Sequence, residues 1–286
     1  MRTGTVARVT GTGPDVAAAA PEGAPGRSRD FVQSLERGLA IIRVFSAETP
    51  SLTVTEIAAA TGLTRAAARR FLLTLIDLGY VATDGRYYEL TPRVLELGYS
   101  YLSALSFPEV ALPHLERLVT EVEEASEGSI LDGGDVVYVV RVPGPALMTI
   151  SVNVGARMPA YATAMGRVLL AGLPDDALER YLGNVEMSAL QPRTITDPQA
   201  LRTELERVRE DGFAMVDQEL EEGLIAVAAP VHDRSGRVVA AINLSTHVGR
   251  RSADDMRDMV PALQRTAEQI RTGLSGSVRR SVGPRV

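Results

Sequence analysis

The chain has 286 residues, 45% of them hydrophobic, which is enough for one large domain or two ordinary ones. It contains no cysteine, which excludes a disulfide framework and a thiolate metal site. The formal net charge is −6, so any surface that meets nucleic acid has to be a local basic patch, and every basic residue in the chain is an arginine.

Residues 1–28 are rich in Gly, Ala, Pro and Thr and poor in large apolar groups, which predicts a disordered tail. Order is expected from about Asp30. "DFVQSLERGLAIIRVFSA" places Leu35, Leu39, Ile42 and Phe45 at helical spacing. Thr53-x-x-Glu56 predicts a capping box for a short second helix that ends at "ATG". Thr64 is placed to cap a third helix, and Gly79 to end it in the left-handed conformation. In "YVATDGRYYEL" two β-prone runs flank Asp84-Gly85, the dipeptide that a type I′ hairpin prefers. Helix, helix, turn, helix and hairpin over residues 29–91 make a winged helix-turn-helix.

On the third helix Ala68, Phe71, Leu72 and Leu75 form one apolar stripe, which leaves Arg65, Ala66, Arg69 and Arg70 on the other side. A helix pinned in this way offers its N-terminal half outward, the geometry by which a recognition helix enters a DNA major groove. Between Thr64 and Arg70 there are three positive charges and no negative one. Each phosphate neutralised releases counterions, and a forked guanidinium can read guanine. Arg86 is expected at the tip of the wing, within reach of phosphate or the minor groove. Thr64, Arg65, Ala66, Arg69, Arg70 and Arg86 are therefore the candidate DNA contacts. The plain alternative is a solvated helix face, or a winged helix used only for protein contact.

"TPRVLELGYSYLSAL" predicts a linker helix over 92–107, with Pro108 and Pro113 at the junction to the next domain. Over 108–274 the pattern mixes helices and strands. "GSILDGGDVVYVVRV" reads as two strands joined at Gly133-Gly134, and "ALMTISVN" as a third. "FAMVD", "LIAVAAPVHD" and "RVVAAINLS" read as further strands. "LPHLERLVTEVEEA", "TAMGRVLLAGL", "PDDALERYLG" and "DPQALRTELERVREDG" read as helices, with one more over about Ala253–Thr272. The fold class is α+β, with a largely antiparallel sheet. Residues 275–286 read as a second disordered tail.

"SLERGLAIIRVFS" with "LTVTEIAAATGLTRAAARRFLLTLIDLGYV", and "RMPAYATAMGRVLLA" with "DGFAMVDQELEEGLIAVAAPVHDRSGRVVAAINLS", resemble the two halves of the IclR family of bacterial transcription regulators. "PAYATAMGRVLLA", "DQELEEGL" and "AAINLS" are most similar to its subgroup that controls aromatic-acid catabolism, the protocatechuate and 4-hydroxybenzoate regulators. The resemblance implies a GAF-like effector domain, dimers formed through the N-terminal half and tetramers formed through the effector domains. It also implies a pocket lined by Ala164, Met165, Asp217, Ala226, Asn243 and Ser245. At Ala226 the family pattern carries a hydroxyl or thiol that this chain lacks. The implied partners are a palindromic operator and a small aromatic or ring-cleavage carboxylate: protocatechuate, 4-hydroxybenzoate or β-ketoadipate. A regulator of another small-carboxylate pathway is the alternative.

Asn243 and Ser245 alternate with Ile242 and Leu244, so both polar groups share one face of a strand. Arg141 and Arg157 are candidates to hold a carboxylate by a forked pair, and Tyr138 and Tyr161 to flank a flat ring. Strand-end arginines also commonly pair with local acidic groups, and such tyrosines commonly pack as core. The acidic run "DQELEE" reads as a solvated turn, with only Asp217 or Gln218 facing inward.

His114, His232 and His247 lack metal-ligand spacing, and no nucleophile elbow, P-loop or dinucleotide fingerprint is present. Neither catalysis, a metal nor a cofactor is expected. No apolar run approaches the roughly 18 residues of a membrane span, and the Ala-rich N-terminal stretch lacks the basic segment of a signal peptide. A cytoplasmic protein is expected.

Overall fold

The computed structural model describes residues 30–46, 48–102, 106–145 and 153–276. They fall into two compact units, one up to Val94 and one from Leu95. The tail expected over 1–28, the strand expected in "ALMTISVN" up to residue 152, and residues 277–286 lie outside the described residues.

In the first unit, α1 (Gln33–Arg43), α2 (Val54–Thr61) and α3 (Arg65–Asp77) pack around Ile41, Ile57, Ala68 and Leu72. The α1 stripe differs from expectation. Ile41 is fully buried, whereas Leu35 and Leu39 stay 62% and 48% exposed. Only the C-terminal part of α1, at Ile41 and Ile42, and the residues just after it, Val44 and Phe45, reach the three-helix core. α2 starts on the expected capping box: the Thr53 hydroxyl accepts from the Glu56 amide, and the Glu56 carboxylate accepts from the Thr53 amide at 2.8 Å. Gly62 ends it at φ 66°, a conformation that an L side chain adopts only with strain. Three short strands, β1 (Ser51–Thr53), β2 (Val81–Thr83) and β3 (Tyr87–Leu90), form an antiparallel sheet in the order β1-β3-β2. β1 was not expected; it gains its ladder only from β3, a partner distant in sequence.

The turn between β2 and β3 also differs from the type I′ expectation. Of its residues only Gly85 has a positive φ, 96°, and three residues bridge the strands. The Asp84 carboxylate accepts from the amides of Arg86 and Tyr87 at 2.8 and 2.7 Å. The Tyr87 and then the Arg86 amide hold that carboxyl below its usual pKa.

The second unit opens with α4 (Leu95–Leu102), preceded by a 3₁₀ turn at Pro92–Val94. α5 (Ser106–Val122) follows and carries Pro113 inside it, so the prolines expected at a domain junction lie within a helix. Six strands form one antiparallel sheet: β4 (Ser126–Asp132), β5 (Asp135–Val142), β6 (Arg157–Pro159), β7 (Ala214–Asp217), β8 (Leu224–His232) and β9 (Val238–His247). Their order is β6-β5-β4-β9-β8-β7.

Strand alternation divides the core in two. Ile225, Val227, Ile242 and Leu244 join Leu115 of α5 and the C-terminal helices on one face. Those helices are α9 (Ala253–Asp258) and α10 (Val260–Gly276), divided at Met259 where one helix was expected. Ala226, Ala228 and Tyr138 join α6 (Ala164–Ala171), α7 (Asp175–Asn184) and α8 (Pro198–Asp211) on the other face. β4 lies at the middle of the sheet. A Cβ on its Gly128 would sit 2.9 Å from the Phe107 ring in the first turn of α5, so the strand backbone bears directly on that ring.

Candidate functional site

The first site is the outer face of α3. Thr64 caps the helix, its hydroxyl accepting from the Ala67 amide at 3.2 Å. Ala68, Leu72 and Leu75 are buried, and Phe71 is half-buried beside them. Thr64, Arg65, Ala66, Arg69 and Arg70 are all exposed. Among the described residues no acidic group is ion-paired with Arg65, Arg69 or Arg70. Charge that no neighbour neutralises is available to a polyanion. Arg86 stands exposed on the wing, its guanidinium 5.1 Å from the centre of the Tyr87 ring.

The second site is a cavity of about 590 Å³, its mouth included, on the α6 face of the large sheet. Tyr138, Ala164, Met165, Ala226, Asn243 and Ser245 line it, which brings together residues that are far apart in sequence. Register explains the meeting. Ala226 pairs with Ser245 and Ala228 with Asn243 across β8 and β9, so all four side chains face α6. α6 approaches through Gly166, where a Cβ would lie 2.1 Å from the Ala160 carbonyl oxygen. The Thr163 hydroxyl caps the Gly166 amide at 3.1 Å, and Ala164 and Met165, the first residues of the helix, line the cavity. An anion placed there meets the positive end of the helix.

Arg141, Tyr161 and Asp217 are not brought to this cavity. Arg141 lies beside Glu127, 3.9 Å from its carboxylate. The Tyr161 hydroxyl donates to the Ser188 carbonyl and accepts from the Ser188 amide, both at 3.0 Å. Asp217 pairs with Arg193. Arg157 is spent on Asp132 and Asp135 at 2.7 and 3.1 Å. Hydrogen bonds or ion pairs within the protein engage Tyr161, Arg157 and Asp217, and Arg141 has a carboxylate as its near neighbour.

Two features of the site were missed. Glu219, in the run read as a solvated turn, is buried and accepts a forked pair from Arg167 at 2.8 and 2.5 Å. Arg167, 1% exposed, also donates to the Tyr161 carbonyl, while the Ile195 amide donates to Glu219. This pair braces α6 against the loop that brings Leu220 to the cavity. The one signal was an arginine set inside the apolar helix "AMGRVLLA". The second is Glu127, which lines the cavity at 5% exposure. Burial pushes its carboxyl up in pKa, against hydrogen bonds from Asn243 and Ser245 and the charge of Arg141. Burial, and then the charge of Glu127, likewise raise the Tyr138 phenol.

Among the described residues no group of three or more His, Asp or Glu could hold a metal, and no helix is long and apolar enough to cross a membrane.

Comparison with known proteins agrees with both units. The profile of the IclR helix-turn-helix domain matches residues 34–85, and that of the bacterial transcriptional regulator IclR C-terminal domain matches residues 99–272. The chain belongs to the IclR family. As an IclR-family protein it is a DNA-binding transcriptional regulator and not an enzyme. The Pca regulon regulatory protein of Pseudomonas putida is 46% identical over 222 residues, 77% of this chain and 76% of that protein. The p-hydroxybenzoate hydroxylase transcriptional activator of Acinetobacter baylyi is 36% identical over 251 residues, 86% of this chain and 93% of the other. Among solved structures, an IclR homolog from Microbacterium hydrocarbonoxydans in complex with 4-hydroxybenzoate superimposes with a TM-score of 0.76 at 25% identity. That match covers 85% of this chain and all of the other.

Proposed function

We propose that this IclR-family regulator controls genes of aromatic-acid catabolism in the cytoplasm and answers to a monocyclic aromatic acid held in the cavity of the second unit. The observation that carries the reading is the make-up of that cavity: a mostly apolar wall joined by the first residues of α6, Ala164 and Met165, and by the polar groups of Glu127, Asn243 and Ser245 from β4 and β9. A concave, mostly apolar site with a few convergent polar groups is the usual setting for a small organic ligand. The relatives named above, and the 4-hydroxybenzoate bound by one structural neighbour, support the same class of ligand. The carboxylate is placed at the N-terminus of α6, near Ala164 and Met165.

On the DNA side the protein binds as a dimer to a roughly palindromic operator, with α3 in successive major grooves and Arg86 on the flanking backbone. Pairs of dimers join through the second unit. Ligand shifts operator affinity only through unequal binding to two arrangements of the protein.

The test is fluorescence anisotropy with the DNA upstream of the gene, with and without 4-hydroxybenzoate or protocatechuate, beside calorimetry of each acid with the full chain. The expected result is salt-dependent binding that either acid changes. Blank footprints at low salt, or no heat with any aromatic acid, would sink the proposal.

A further inference from the structure

We infer that Glu127 reads the ring hydroxyl of the effector: its carboxyl accepts a hydrogen bond from a hydroxyl on the side of the ring away from the carboxylate. It thereby selects hydroxybenzoates over benzoate and over open-chain dicarboxylates. The inference rests on the aromatic-acid reading above and assigns a specificity residue to the same cavity.

Placement comes from β4. Glu127, Ser129 and Leu131 alternate onto the α6 face, while Ile130 packs on the opposite one. The Ser129 hydroxyl lies 3.3 Å from the sulfur of Met165, a cavity-lining residue in the first turn of α6, so Ser129 marks the level of that turn along the strand. Glu127 stands two residues further along the strand, a step of about 7 Å. A para-substituted benzoate, with its carboxylate at α6, reaches across that gap.

Chemistry supplies the rest. The Glu127 carboxylate accepts from the Ser245 hydroxyl at 3.2 Å, and Arg141 stays at 3.9 Å, beyond hydrogen-bond distance. The Asn243 amide oxygen is occupied by the backbone N–H of Glu127 at 2.7 Å, which holds the strand in place. A carboxylate offers about four acceptor positions, so capacity remains for a ligand donor. Neighbouring walls are apolar at Ala162, Val216, Leu224 and Ala226. A ligand lacking the donor leaves that buried acceptor desolvated and unmatched, the arrangement that discriminates best between analogues. A second carboxylate at the same spot sets two acid groups side by side in a buried place, an arrangement that tolerates at most one negative charge. A hydroxyl brings no second acid.

The experiment is calorimetry of the full-length protein with four probes: 4-hydroxybenzoate, benzoate, 4-methylbenzoate and β-ketoadipate. The wild type is expected to prefer 4-hydroxybenzoate over each of the others by at least about tenfold. In Glu127→Leu the preference over benzoate is expected to shrink to within about threefold, because the apolar replacement removes the acceptor. A purely structural role for Glu127 would weaken 4-hydroxybenzoate and benzoate alike and leave their ratio unchanged, which would overturn the inference. If Glu127→Leu does not fold, the wild type still decides: equal affinity for 4-methylbenzoate and 4-hydroxybenzoate, or tighter binding of β-ketoadipate, refutes the role. Failure of every acid to bind the wild type would instead strike the aromatic-acid reading itself.

Discussion

The outer face of α3 and the inner face of β4 are both organised by charge, but under opposite conditions. Arg65 and Arg69 stand in solvent on a helix whose apolar side is already anchored, so their charge costs nothing to keep and waits for a polyanion. Glu127 and Arg167 are buried, where an uncompensated charge is expensive, and each is kept by groups brought from elsewhere in the chain. The first kind of site is local in sequence and tolerant. The second is assembled by the fold from partners far apart in sequence.

The largest expected effect breaks the buried side. Arg167→Met leaves Glu219 without its fork and should cost about 3–5 kcal/mol of stability, read as a lower midpoint in urea. Replacing both partners, Arg167→Met with Glu219→Leu, should recover much of that loss; an equally unstable double variant would show that the pair is not the brace described.

On the exposed side, Arg65→Ala with Arg69→Ala should weaken operator binding by roughly 2–4 kcal/mol and flatten its salt dependence. Unfolding and calorimetry with 4-hydroxybenzoate should stay as in the parent. Parent-like anisotropy titrations would remove α3 from the interface.

A smaller loss is expected at the entry to α2. Thr53→Ala deletes one half of the capping box and should cost about 1 kcal/mol, measurable by denaturant titration. An unchanged midpoint would mean that the box is redundant with tertiary packing.

The subtlest prediction concerns pH. The folded-state pKa of Glu127 is raised, so its contribution to stability is greatest at low pH and is lost as pH climbs through the folded value. Arg141 and Tyr138, the charged and titratable neighbours, do not reverse that direction. Glu127→Gln should therefore gain stability relative to the parent as pH rises above the ordinary glutamate range. Parallel stability–pH curves for the two proteins would contradict the shift.

These contrasts also explain what could be read without coordinates. The Thr53 and Thr64 caps, the bend at Gly62 and the stripe of Ala68, Leu72 and Leu75 depend on near neighbours, and periodicity exposes them. The shared face of Asn243 and Ser245 follows from strand alternation alone. Partner choice does not. For Arg141 and Arg157 both a ligand carboxylate and a nearby acidic group fit the pattern, and for Asp217 the pattern names no partner; β4, β5 and the segment at Arg193 supply the counter-charges. Glu127 looked like one more acid in "EEASEGS", because nothing local says that β9 will close over it. The exposed Leu35 and Leu39 follow the same rule: helical spacing gives a face, but not how much of that face finds a neighbour.

The peptide after Glu127 has a further use. Gly128 has no side chain to cushion it, and its backbone rests against the Phe107 ring at the root of α5, the helix that follows α4 in the chain. A guest that pulls on the acid is expected to press the neighbouring peptide against Val140 and that aromatic ring on the far side of the sheet. Gly128→Ala, which wedges a methyl group into that joint, is expected to leave the guest's affinity within a few fold while muting its influence on promoter occupancy. An undiminished response in anisotropy titrations would place the coupling elsewhere.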